Sequence, residues 1–72
     1  MKKQDVIDLF TVPGSTHPVR DLADAIGVTS QAISRWPDEL TDRLIGRVAH
    51  IVKLRVAAGD RALGRKFLKL MK

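Results

Sequence analysis

The sequence contains no cysteine, which removes two common ways of stabilising a small fold, the disulfide and the cysteine-ligated zinc site. No apolar run approaches the roughly 18 residues that a membrane-spanning helix needs. None of signal-peptide length follows Met1-Lys2-Lys3-Gln4-Asp5. A cytoplasmic chain without membrane contact is therefore expected. The two histidines, His17 and His50, lie far apart and lack a carboxylate at ligand spacing, so no metal is expected. Ser15, His17 and Asp21 fall within seven residues and no glycine-framed nucleophile accompanies them. The expectation is therefore no enzyme, no cofactor and no small-molecule ligand. Internal repeats and low-complexity tracts are also missing. What remains is 72 residues, enough for one domain spanning 1–72. A domain of this size buries only about 60% of the surface its unfolded chain exposes. With disulfides and cysteine-bound metal excluded, a partner subunit is the favoured source of extra stability.

Charge is present but uneven. Residues 1–52 carry a net −1 and residues 53–72 carry +6, which together make the overall +5. The basic excess suits a polyanionic partner. For the C-terminal third, whose cations include Lys53, Arg55, Arg61, Arg65, Lys66 and Lys69, two readings stay open: a solvated face, or contacts to phosphate.

Hydrophobic spacing predicts an all-α chain of five short helices. Val6, Ile7 and Phe10 share one face of a helix over Lys3 to Phe10. Thr11 to Pro18 is a loop built on the Pro13-Gly14 turn, and Pro18 suits the first position of the next helix. Val19, Leu22, Ala23 and Ile26 then recur at helical spacing, ending at Gly27. Thr29 or Ser30 caps a third helix, which buries Ala32, Ile33 and Trp36 and is closed by Pro37. Thr41 caps a fourth that runs to about Val56, and Asp60 caps a fifth with Leu63, Phe67, Leu70 and Met71 on its face. The alternative is three helices plus a C-terminal β-hairpin. It would pair about His50–Val56 with Arg61–Phe67 around Ala57-Ala58-Gly59-Asp60. Gly46, inside the fourth helix, serves either a close helix approach or nothing in particular.

The segment from about Val19 to Trp36 meets the demands of a helix-turn-helix. Two helices that cross closely need a small residue at the crossing, supplied by Ala23. The turn between them needs positive φ, supplied by Gly27 four residues later. Leu22, Ile26, Ile33 and Trp36 anchor both helices to one core. Thr29, Ser30, Gln31, Ser34 and Arg35 are left facing outward, all hydrogen-bonding side chains and none of them acidic. Arg35 suits the O6 and N7 of guanine, Gln31 suits the N6 and N7 of adenine, and serine or threonine suits phosphate or either base type. These five are the candidate DNA-binding residues.

The run Leu22-Ala23-Asp24-Ala25-Ile26-Gly27-Val28-Thr29-Ser30-Gln31-Ala32-Ile33-Ser34-Arg35-Trp36 resembles the helix-turn-helix of Cro repressors from lambdoid bacteriophages. The opening Lys2 to Phe10 resembles the first helix of the all-helical branch of that family. The resemblance implies five short helices, or three plus a β-hairpin. It also implies a dimeric transcriptional repressor that binds a palindromic operator in double-stranded DNA, with the helix at about 29–36 in the major groove. By the same likeness, base reading falls to Thr29, Ser30, Gln31, Ser34 and Arg35. Excess apolar residues at Ile51, Val52, Val56, Phe67, Leu70 and Met71 suggest a weak homodimer. The competing expectation is a helix-turn-helix used as a protein-interaction or adaptor module.

Overall fold

Three of the five helices begin at a side chain that satisfies one of their open N–H groups. In the computed structural model, which describes residues 1–71, Thr29 Oγ1 accepts from the Ala32 N–H at 3.1 Å and Thr41 Oγ1 from the Leu44 N–H at 3.3 Å. Asp60 Oδ1 accepts from the Leu63 N–H at 3.2 Å. These caps start α3 (Ser30–Ser34), α4 (Asp42–Ala57) and α5 (Arg61–Met71). The first helix, α1 (Lys3–Phe10), opens with the Asp5 carboxylate accepting from the Lys2 N–H at 3.2 Å. The second, α2 (Pro18–Ile26), opens with proline at its first position, where the missing N–H costs nothing.

The chain is all-α, and no strand occurs among the described residues. The hairpin alternative is thereby set aside: His50–Val56 lies inside α4 and Arg61–Phe67 inside α5. The β-branched residues of α4 sit in a helix because tertiary packing outweighs their weak strand preference. No helix of the described residues is long and apolar enough to cross a membrane.

The four largest fully buried side chains, Val6, Leu22, Ile33 and Val48, come from four different helices. Each such burial contributes about 1.5–3 kcal/mol, so the core fastens α1, α2, α3 and α4 at one point. Phe67 and Leu63 attach α5 to the same core. The principal pairings are α1 on α2, α2 on α3, α4 on α5, and α5 on α1, with a smaller contact between α2 and α4.

Two findings change the sequence reading. Leu40, outside any helix, is buried in the core. Its N–H donates to the Met1 carbonyl at 3.0 Å, and the Lys3 N–H donates to the Asp38 carbonyl at 2.8 Å. An isolated bridge between Lys2 and Glu39 thus ties the start of α1 to the segment after α3. The apolar surplus offered for a dimer is also smaller than expected. Val52 and Phe67 belong to the core of the single chain, and Ile51 and Leu70 are half-buried. Val56 and Met71 remain exposed, joined by Leu54 and Leu68.

The close helix approach that is one reading of Gly46 occurs instead at Gly64. Gly46 faces open space, whereas α4 and α5 approach at Gly64, where an added Cβ would lie 2.7 Å from Val56 Cγ2.

Candidate nucleic-acid interface

The geometry of the α2–α3 unit follows from one residue. Gly27 has φ +83°, a left-handed conformation that costs a side-chain-bearing residue about 1–2 kcal/mol. Its N–H and that of Val28 both donate to the Ala23 carbonyl, at 2.8 and 3.0 Å, closing α2 and turning the chain toward α3. Ala23 is 2% exposed and Leu22 and Ile26 are buried beside it, so α2 presses this face on the core. Ile33 is fully buried from the α3 side and fixes which face of α3 looks outward.

α3 is shorter than the range 29–36 read from the sequence. It spans Ser30–Ser34, with Thr29 as its N-cap and Arg35 as its C-cap. The helical path still continues one residue further, because the Arg35 N–H donates to the carbonyls of Gln31 and Ala32, both at 3.2 Å. Gln31 and Arg35 therefore stay four residues apart on one stripe. Trp36 lies beyond the helix and is half-buried rather than a full core residue. The proline that follows disfavours helical geometry at Trp36. Its carbonyl accepts from Lys3 Nζ at 3.4 Å, a second link between α1 and the end of α3.

All five candidate residues, Thr29, Ser30, Gln31, Ser34 and Arg35, are exposed, and the short helix brings them onto one surface. Two of the hydroxyls are partly engaged. Thr29 Oγ1 is used as an acceptor in the cap, which leaves its proton free to donate. Ser34 Oγ donates to the Ser30 carbonyl at 3.1 Å, which leaves its lone pairs free to accept. Among the described residues the side chains of Gln31 and Arg35 make no hydrogen bond, and Arg35 forms no salt bridge. An amide with both functions open and a cation without a carboxylate partner are the groups that base-edge recognition needs.

Arg20, which the sequence reading left aside, is exposed in the first turn of α2. It is the one cation of α2 and forms no salt bridge among the described residues. The only signal for Arg20 in the sequence is its outward position beside Val19 and Leu22.

The Ser15, His17 and Asp21 group forms a loop clasp. Ser15 Oγ accepts from the His17 backbone N–H at 3.1 Å, and Asp21 Oδ2 accepts from the Val12 N–H at 3.3 Å. The Ser15 hydroxyl first, and then the Val12 N–H, hold the Asp21 carboxyl below its ordinary value. The long Thr11–Pro18 connection is thereby fastened to the first turn of α2. No cluster of metal-ligating side chains occurs among the described residues.

The basic C-terminal residues sit on different elements from this surface. α3 packs on α2, while Arg61, Arg65, Lys66 and Lys69 lie on α5, which packs on α4 and α1. Comparison with family models, curated proteins and solved structures gives no match to this chain.

Proposed function

We propose that the chain is a Cro-like transcriptional repressor that reads duplex DNA through α2 and α3. In this reading Ser30–Ser34 enters the major groove and Arg20 contacts the backbone. One observation carries it: the outward face of α3 is wholly polar, free of acid, and held by a left-handed glycine turn and a threonine cap. A helix exposed only for solubility ordinarily carries glutamate and lysine, and α3 carries neither. Gln31 and Arg35 read base edges, whereas Thr29, Ser30 and Ser34 contact phosphate or adjoining bases. Two copies occupy a two-fold-symmetric operator, one α3 in each half-site. They pair weakly in solution, since the exposed apolar residues of one chain are few. Such a repressor acts in the cytoplasm of a bacterial host.

The test is selection of bound duplexes from a random pool, followed by salt titrations of variants on selected and random DNA. Arg35→Ala should lose about 1–3 kcal/mol on the selected site, relax one base pair in each half-site, and lose less on random DNA. Arg20→Ala should weaken both duplexes alike and flatten the salt slope by about one unit per subunit. Failure to enrich any sequence, with no salt-dependent binding to random duplex, would reject DNA reading and leave the protein-interaction module.

A further inference from the structure

We propose that the groove between α4 and α5 is a docking site for an acidic amphipathic helix of a partner protein. The groove encloses about 440 Å³ and opens to solvent. Its apolar lining is Ala49, Val52, Val56, Phe67 and Leu68, with Gly64 at the close approach of the two helices. Val52 and Phe67 are almost completely buried and form the floor, while Leu68 is 62% exposed and Val56 is 37% exposed along the edge. Gly64 shapes this depression, because the absence of a side chain there lets Val56 lie directly against the backbone of α5.

The charge on the rim identifies the occupant. Lys53, Arg61 and Arg65 line the groove and no acidic residue does. Asp60 stands next to Arg61 with its Oδ1 capping α5, and it does not line the groove. Among the described residues none of the three cations forms a salt bridge. An apolar trough edged by unpaired cations complements a helix with leucine-like anchors at i, i+3 or i+4, and i+7, flanked by carboxylates.

The other candidates fit less well. A second copy of this chain on this groove would bring a second set of Lys53, Arg61 and Arg65 into one interface with no acidic lining residue to offset them, and crowding like charges is unfavourable. DNA phosphate would meet the cations but has no use for an apolar floor. An anionic bilayer would reach Leu68 and Val56 but not Val52 and Phe67, which lie at the bottom of a concave surface. The groove is carried by α4 and α5 and the candidate DNA surface by α2 and α3, so the two are built from different helices. The proposal does not depend on DNA reading.

The experiment uses the full, isotopically labelled chain and a synthetic peptide of about four helical turns, with leucines at the anchor positions and glutamates beside them. A twin peptide carries lysines in place of the glutamates. The acidic peptide should shift the amides lining the groove and leave α3 unchanged, with affinity falling several-fold between about 50 and 300 mM salt. Leu68→Glu and the double change Arg61→Glu with Arg65→Glu should each lower affinity about tenfold or more. Both lie at exposed positions, and an unchanged Trp36 emission confirms that these variants are folded. Equal binding of the two peptides, or binding of neither, overturns the proposal. So does occupation of the same residues by a second copy in concentrated protein alone, by vesicles of phosphatidylglycerol and phosphatidylcholine, or by random duplex, in preference to the acidic peptide.

Discussion

Replacing Gly46 by alanine should stabilise the protein, whereas the same change at Gly64 should not. Both glycines lie inside helices, where alanine is favoured by about 1 kcal/mol. At Gly46 the backbone is helical and the new Cβ meets no atom within 4 Å, so the whole propensity gain should be realised. For a domain of this length a gain of 1 kcal/mol raises Tm by roughly 4–8 °C. At Gly64 the new Cβ would stand 2.7 Å from Val56 Cγ2. Valine in a helix is confined to essentially one χ1 well, so either Val56 leaves its rotamer, at about 0.5–1.5 kcal/mol, or α4 and α5 move apart. The two terms nearly cancel, and Gly64→Ala should melt at or below the wild-type temperature. Circular dichroism melts of both variants give the comparison directly. The Val56→Ala background supplies the control: with the valine gone, Gly64→Ala should recover the full gain of about 1 kcal/mol. A Gly64→Ala protein that gains as much as Gly46→Ala, or that gains nothing more when Val56 is truncated, would refute the packing argument. A Gly46→Ala protein that loses stability would show that α4 needs an open position there for something outside the single chain.

Three further outcomes are expected. Ile33→Ala removes the one fully buried anchor of α3 and should cost about 2–5 kcal/mol by urea unfolding, a large share of the stability of so small a domain; a loss below 1 kcal/mol would mean that α3 is not held by this contact. Thr29→Ala deletes the cap of α3 and should cost about 1 kcal/mol, with Thr29→Ser nearly silent; equal losses in both would point away from the hydroxyl. Asp21→Asn should be less stable than wild type near neutral pH. Its carboxyl is held below the ordinary 3.8, so the ionised form stabilises the fold above that value and the advantage fades as pH falls through the lowered one; a stability difference that persists unchanged at pH 2 would contradict this assignment.

Local chemistry made much of the molecule legible in its sequence. The bounds of α1, the proline start of α2, the left-handed Gly27 and the caps at Thr29, Thr41 and Asp60 each depend on residues within one helical turn. The outward set on α3 followed from the same periodicity. What escaped depends on distant partners. Leu40 carries no periodic signal of its own and is buried because the backbone of Met1 reaches it. The fate of Val56 could not be read from its spacing with Val48 and Val52, since each step of four residues turns about 40° past a full circle. After two such steps the side chain has rotated off the core and onto the groove edge. The roles of Gly46 and Gly64 depend on which helix faces which, and neither local pattern contains that information.

The bridge between Lys2 and Glu39 has a kinetic consequence. It closes residues 1–40 into a ring that encloses α1, α2 and α3, while α4 and α5 attach from outside it. Opening of the ring releases Leu40 from the core and the Lys3 amide from Asp38 in a single event. These two amides, some three dozen residues apart in sequence, should therefore share one hydrogen-exchange rate and one response to denaturant. That shared rate would time how often the surface carrying Gln31 and Arg35 loses its alignment with the first helix.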